Sequence, residues 1–151
     1  EHNAFWSLDH ESGDEKAYCC FNSNARDFAR IGKLYLDSGR VDSTQLVQKE
    51  YVLASIQPAP TLEKEDNTPN NRYGYSWWLM PDYVPAGASA EAGKGHYIFY
   101  ARGILGQYII MIPDQQMIVV RLGNMRDLAP AHHPADLYWY IDAALEMYGN
   151  K

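Results

Sequence analysis

Basic residues are scarce in this chain, and their scarcity limits what it can bind. Among 151 residues, 13 are Lys or Arg and 19 are Asp or Glu, so the formal net charge is −6 at pH 7. Proteins that bind nucleic acids take much of their affinity from a stripe of Lys and Arg against the phosphates. The sequence has no such stripe, so we expect no nucleic-acid partner.

Long hydrophobic runs are also missing. No segment approaches the roughly 18 consecutive apolar residues of a membrane-spanning helix, so we expect no transmembrane segment. Hydrophobic residues still make up 46% of the chain, which is typical of a folded globular protein. The 12 Tyr and 4 Trp favour dense core packing over a surface for carbohydrate or aromatic ligands. The length fits a single domain or a fragment of one.

Only two cysteines are present, and they are neighbours, Cys19 and Cys20. A disulfide between adjacent residues closes a strained ring, which argues against a structural disulfide here. Two side-by-side thiols are too few ligands for a zinc site. We therefore expect both to be small buried hydrophobic residues, and they leave the redox compartment open.

Known catalytic motifs are lacking as well. The sequence contains no G-x-S-x-G elbow, S-x-x-K pair, H-E-x-x-H zinc motif, Walker A loop or G-x-G-x-x-G loop. His132 and His133 are adjacent, so their rings diverge on a helix or strand and a shared metal is disfavoured. The residues predict no metal, no cofactor and no complete active site within the chain.

What the sequence does contain is a strong β pattern between residues 97 and 122. Aromatic and β-branched residues fill three short runs there, as expected of neighbouring strands. The first connection holds Gly103 and Gly106, which permit positive φ, and the second begins at Pro113, which favours a turn. The pattern predicts an antiparallel meander of three strands.

Helices are predicted on both sides of this pattern. Asn24 is a good N-cap with Asp27 as its partner, Gly39 suits a helix C-cap, and Pro134 suits the first turn of a last helix. The predicted fold class is therefore α+β with an antiparallel sheet. Strands are expected near residues 73–80, 96–102, 107–113 and 117–123, and helices near residues 24–38, 48–56 and 134–148.

One strand end is a candidate for chemistry. It is formed by Ala101, Arg102 and Gly103 and is followed by Ile104. Main-chain N–H groups at such an edge can stabilise an oxyanion, and Arg102 can pair with a ligand carboxylate. The alternative is a hairpin that needs its glycines for the turn, with Arg102 as a solvent-exposed charge. On these residues alone, the hairpin is favoured.

The sequence resembles the serine β-lactamase-related hydrolases, which include class C β-lactamases, penicillin-binding-protein-like esterases and 6-aminohexanoate-dimer hydrolases. The resemblance is carried by NARDFARIGKLYLDSG from residue 24, YGYSWW from residue 73, and YARGILGQY from residue 100 with a Pro-Asp turn after it. It extends over nearly the whole chain. It implies the C-terminal portion of a β-lactamase-like fold.

The resemblance also implies a mechanism. The family uses a nucleophilic Ser and an activating Lys on an S-x-x-K helix, with a Tyr in a Y-x-N type loop, and these motifs precede the matched region. Its K-T-G-like strand aligns with Ala101, Arg102 and Gly103. Ala stands there in place of the usual residue, which favours ester, amide or peptide-like substrates over β-lactams. The backbone N–H of Ile104 would form half of an oxyanion hole.

The remaining implications concern ligands and location. Tyr100, Trp78, Leu105 and the loop at 81–95 would border the substrate cleft. The implied partners are a small-molecule or peptide-like carbonyl substrate and the N-terminal remainder of the polypeptide. Relatives are often exported, so the resemblance implies an extracytoplasmic location, although the residues themselves indicate none. Two alternatives stay open, a catalytically inactive binding module of the same fold and an unrelated aromatic-rich ligand-binding domain.

Overall fold

The main sheet of the protein is antiparallel and lies between helices. The computed structural model describes residues 4–63, 66–88, 95–125, 127–128 and 132–149. In chain order the elements are β1 (Phe5–Trp6), β2 (Phe21–Asn22), α1 (Ala25–Leu36), β3 (Arg40–Val41), β4 (Thr44–Gln45), α2 (Lys49–Ser55), β5 (Trp78–Tyr83), β6 (His96–Arg102), β7 (Tyr108–Ile112), β8 (Met117–Arg121) and α3 (Ala135–Tyr148). The predicted α+β class and its antiparallel sheet are confirmed.

Strands β5 to β8 follow one another across the sheet in sequence order, and each neighbouring pair is antiparallel. Tyr100 on β6 lies opposite Ile110 on β7. The turn between these strands is closed by the N–H of Gly103, which donates to the carbonyl of Gln107 at 2.8 Å. Gly106 has a φ of 80°, a left-handed value that glycine adopts without a steric penalty. The predicted meander and its glycine turn are confirmed.

Each face of the sheet carries its own hydrophobic cluster, because side chains alternate along a strand. The buried residues on the α3 side are Met80, Tyr83, Ile98, Tyr100, Tyr108, Ile110, Ile112, Leu137 and Ile141. Those on the α1 side are Trp77, Leu79, Phe99, Ile109 and Met111, with Phe28 and Tyr35 of α1 packed against them. Strand β7 contributes to both clusters, and every one of its residues is buried.

Helix α1 begins as its sequence predicts. The side chain of Asn24 accepts hydrogen bonds from the N–H groups of Arg26, at 2.9 Å, and Asp27, at 3.2 Å. The Asp27 carboxylate also accepts a bond from Arg30 at 2.8 Å. Gly32 faces the sheet, where a Cβ would crowd side chains of β7 and β8. The small residue therefore lets the helix lie close to these strands.

The strand predicted near residues 73–80 lies further along the chain, since β5 spans Trp78–Tyr83. The N–H of Gly74 donates to the carbonyl of Trp77 at 2.8 Å, and Ser76 has a φ of 67°. The segment before β5 is thus a tight turn, which its aromatic content did not indicate. Trp77 and Trp78 face opposite sides of the sheet.

Other predicted boundaries need smaller changes. In the loop expected over 81–95, residues 81–83 belong to β5 instead. Residues 89–94 of that loop lie outside the described part of the chain. Helices α2 and α3 lie within the ranges predicted for them, the latter directly after Pro134. In the described residues, no helix combines the length and apolar character needed to cross a membrane.

The prediction for the two cysteines is wrong, because a disulfide joins Cys19 and Cys20. Cys20 has a φ of 73°, so the backbone turns at this pair and does not place the two side chains on opposite sides as an extended strand would. Cys20 is also exposed rather than buried. The loop is held against β1 at both residues. The indole N–H of Trp6 donates to the carbonyl of Cys19 at 2.9 Å, and the N–H of Ser7 donates to that of Cys20 at 3.2 Å.

Because β7 is buried on both faces, its side chains should contribute strongly to the free energy of unfolding. Ile110 has 0% of its surface exposed, whereas Ile104 has 81% exposed. Ile110→Ala should lower the free energy of unfolding by about 2–5 kcal/mol, because it removes buried methyl groups and leaves a cavity. The matched change Ile104→Ala should alter it by less than about 0.5 kcal/mol. Urea unfolding of both variants measures these changes in free energy. Equal changes would contradict the full burial of Ile110.

Candidate functional site

The end of β6 is an open strand edge. Strand β5 pairs with β6 only as far as Trp78, which lies opposite Tyr100. Ala101 and Arg102 pair with β7 on their other side. The chain just before β5 forms a tight turn, in which the N–H of Gly74 donates to the carbonyl of Trp77 at 2.8 Å. Within the described residues, no strand lies beside positions 101–103 on the β5 side.

The turn after this edge exposes Ile104. The N–H of Gly106 donates to the carbonyl of Gly103 at 3.2 Å, and the N–H of Leu105 donates to the side chain of Gln107 at 3.2 Å. No described residue accepts a hydrogen bond from the N–H of Ile104. Half of the Leu105 surface is exposed. The turn therefore offers a backbone donor and apolar surface to an incoming group.

The side chains predicted for the site divide between the two faces of the sheet. Tyr100, Arg102 and Trp78 lie on the α3 side, while Ala101 packs with the cluster on the α1 side. Tyr100 is fully buried. The predicted residues therefore do not all lie on one face of the sheet. They share only their position at or beside the end of β6.

The guanidinium group of Arg102 is already bound by other groups of the protein. Its guanidinium carbon lies 3.9 Å from the ring centroid of Trp78, and Nη1 donates to the carbonyl of His132 at 3.1 Å. Stacking on an indole and a carbonyl acceptor are both favourable for a guanidinium. The side chain ties the end of β6 to β5 and to the segment before α3.

A second tie involves His133, which the sequence analysis did not assign to the site. The hydroxyl of Tyr100 and Nδ1 of His133 are 2.7 Å apart. The ring of His133 also makes an edge contact with Trp78, with centroids 6.1 Å apart. The paired residues are 33 positions apart, and no local pattern marks such a contact. Only the packing of α3 on the sheet creates it.

Burial keeps both partners of this pair neutral. It lowers the pKa of His133 to about 4, with the nearby His132 and Arg102 as further causes. Burial also raises the pKa of the Tyr100 phenol above its ordinary value. At neutral pH the contact joins an uncharged imidazole to an uncharged phenol.

The described serine and threonine hydroxyls are not paired with a His or Lys base. Ser23 donates to Asp27, Ser55 donates to a backbone carbonyl, and Thr68 donates to Asp66. In this part of the chain, no serine or threonine hydroxyl contacts His or Lys, and no group of three or more His, Cys, Asp or Glu side chains is placed to hold a metal ion. The site supplies donors and surface rather than a nucleophile.

Comparison with known proteins adds no assignment. The chain matches no model of a protein family, and it matches no curated protein.

The neutral state of His133 can be measured directly. In the folded chain we expect its pKa at about 4, against 6.5 without burial. The unfolded chain then takes up a proton between these pH values that the folded chain does not. Hence this residue destabilises the fold as the pH falls from 6.5 to 4 and has no such effect above 6.5.

NMR titration of the His133 ring, in buffer and in denaturing urea, checks this prediction. Urea unfolding of the parent and of His133→Gln over the same pH range is the control. The unfolding free energy of the variant lacks the contribution of this ring. A folded-state pKa equal to that in urea would contradict the burial of the ring.

Proposed function

We propose that the chain is the C-terminal part of a serine β-lactamase-related hydrolase that acts on an ester, amide or β-lactam-like carbonyl through an acyl-enzyme. The observation that carries the proposal is the open edge at residues 101–103, with the N–H of Ile104 directed to no described acceptor. This combination provides one backbone donor next to a strand end, which is half of an oxyanion hole. The resemblance of the sequence to the family supports the same assignment.

The reaction divides between two parts of the polypeptide. The Ser and Lys would lie N-terminal to the matched region, and the Ser oxygen would attack the substrate carbonyl. As the carbonyl carbon becomes tetrahedral, its oxygen gains negative charge, which the Ile104 N–H stabilises by a charge-assisted hydrogen bond. Collapse breaks the bond to the leaving group, which takes up the proton that the Ser hydroxyl gave to the Lys, and forms the acyl-enzyme. Water then attacks this ester and releases the acid.

The side chains around the edge have different roles in this proposal. The backbone of Ala101 and Arg102 pairs only with β7, so a substrate can lie beside the other edge of the strand. Leu105 supplies exposed apolar surface for the substrate. Trp78 and Arg102 hold the strand end in place, since Arg102 stacks on Trp78 and bonds to the segment before α3. The geometry thus favours a backbone-centred site in which side chains mainly support position.

The disulfide bears on location. Disulfides persist in oxidising compartments and are rare in reducing ones. The bond between Cys19 and Cys20 therefore supports the extracytoplasmic location that the resemblance implies.

A second function is favoured by one observation: in the described residues, no Ser or Thr hydroxyl forms a hydrogen bond with His or Lys. A binding module of the same fold would keep the open edge and bind a carbonyl ligand without cleaving it. The two functions differ in whether a reactive Ser exists anywhere in the polypeptide.

Labelling with a serine-directed fluorophosphonate separates the two functions. We expect the polypeptide of the whole reading frame to be labelled at the Ser of an S-x-x-K motif, because that hydroxyl is activated. The 151-residue chain alone should remain unlabelled. Mass spectrometry of both samples measures the adduct. Labelling of the isolated chain, or no labelling of the whole polypeptide, contradicts the proposal.

The backbone donor can be removed without changing other polar groups. In the labelled hydrolase, Ile104→Pro should lower kcat for an aryl ester by about 10²–10³-fold, because proline has no N–H to offer the oxyanion. Ile104→Ala keeps the N–H and is the matched control, with kcat expected within about threefold of the parent. Thermal unfolding of both variants shows whether the turn is preserved. Equal kcat values in two folded variants would exclude this donor.

A further inference from the structure

A groove lies on the α3 side of the molecule, and no residue of the Ile104 turn lines it. It has a volume of about 760 Å³ and runs between the segment at 66–72, β5, and the start of α3. Small-molecule sites commonly have volumes of roughly 300–1,000 Å³ and combine apolar walls with a few polar groups. The groove has both, since Met80 and Tyr138 line it together with Asp142 and Arg72.

The floor of the groove is the outer edge of β5, and this edge is poorly suited to pairing with another strand. The N–H of Leu79 is already bonded to the carbonyl of Arg72 at 2.8 Å. Pro81 has no N–H, and the strand register shifts between Met80 and Tyr83. Proline and irregular register are features that protect an edge from strand addition. The occupant that fits is a compact molecule rather than an extended peptide.

One carboxylate in the groove has only neutral partners. Oδ1 of Asp142 accepts a hydrogen bond from the hydroxyl of Tyr83 at 2.5 Å and from the N–H of Ala86 at 3.4 Å. Within the described residues, no Lys, Arg or His forms an ion pair with it. Asp142 is half-buried, so water solvates its charge only in part, and its partners Tyr83 and Ala86 bring no positive charge.

Three described basic residues line the groove, Arg72, His132 and His133, and none of them forms an ion pair with this carboxylate. Arg72 pairs with Glu63 through two bonds, from Nη2 at 2.6 Å and from Nε at 3.1 Å. His133 is uncharged at neutral pH, because burial lowers its pKa to about 4. Asp82 adds a further acidic side chain to the lining. The local potential therefore favours a positive ligand.

An aromatic wall stands next to Asp142. Tyr138 is half-buried on the same helix, and its ring lies against that of Tyr83 with centroids 6.0 Å apart. Burial, followed by the bond to Asp142, raises the pKa of Tyr83, so its hydroxyl remains a donor to the carboxylate. Aromatic rings attract organic cations and also pack against apolar groups.

We propose that this groove binds a small organic cation, a primary ammonium attached to a compact apolar or aromatic body. The ammonium group donates to the Asp142 carboxylate, and the body of the ligand packs against Tyr138 and Met80. A charge-assisted hydrogen bond in a partly buried site gives orientation as well as affinity. The proposal does not rest on the hydrolase function, and the groove binds its ligand whether or not a reactive Ser exists.

The first experiment compares two probes of equal size on the full chain. Phenethylammonium carries the charge, and 2-phenylethanol is its neutral counterpart. Titration followed by protein NMR should show saturable binding of phenethylammonium, with shifts at Tyr138 and Asp142, and binding at least about tenfold weaker for the alcohol. Raising NaCl from about 0.05 M to about 0.5 M should weaken ammonium binding. Equal affinity for the two probes, or no saturable binding of phenethylammonium, overturns the proposal.

The second experiment removes the charge from the protein. Asp142→Asn keeps the shape of the side chain and an acceptor for Tyr83, and it should weaken phenethylammonium binding by about tenfold or more. Glu50→Gln, at an exposed acidic position on α2 that does not line the groove, should bind as the parent does. Parent-like binding by a folded Asp142→Asn variant overturns the proposal. If that variant does not fold, the comparison of phenethylammonium with 2-phenylethanol on the parent chain tests the proposal by itself.

Discussion

The structure depends on the burial of β7 on both of its faces. Every residue of Tyr108–Ile112 is buried, with α1 on one side of the sheet and α3 on the other. Such a strand leaves no freedom of register, since a shift by one residue would exchange the side chains of the two clusters. Its neighbour β6 is then fixed residue by residue, with Tyr100 opposite Ile110 and Ala101 opposite Ile109.

This constraint determines what the candidate site can use. Because neighbouring residues face opposite sides, Tyr100 and Arg102 turn toward α3 while Ala101 turns toward α1. The group that the strand end presents in common is its backbone. The side chains instead hold that backbone, through Arg102 on Trp78 and Tyr100 on His133. A strand end tied to two other elements is a suitable base for chemistry that requires fixed donors.

Strand β5 connects the open edge and the groove. It begins at Trp78, which leaves the last residues of β6 uncovered on that side. Its own outer edge forms the floor of the groove, where Pro81 and the irregular register discourage another strand. The proposed oxyanion donor and the proposed cation site therefore differ in both position and chemistry. The first uses a backbone N–H, and the second uses the carboxylate of Asp142.

Several local features were determined by the sequence itself. Asn24 and Asp27 define the start of α1, because a short polar side chain can satisfy the free N–H groups of a first turn. The glycines of the β6–β7 turn and the β-branched runs on either side define the meander, because both act over a few residues. The same local reasoning placed one strand too early, since it counted the aromatic residues near Tyr73 and missed the turn at Ser76.

Other features were decided only by tertiary structure. The disulfide between Cys19 and Cys20 requires a backbone turn that the residue types do not specify. The contact between Tyr100 and His133 joins residues 33 positions apart, and Asp142 meets Tyr83 across 59 positions. No sequence period links such residues, because their proximity arises when α3 packs across the sheet. The sequence therefore determined the elements and their faces, and the packing of those elements decided which polar groups became partners.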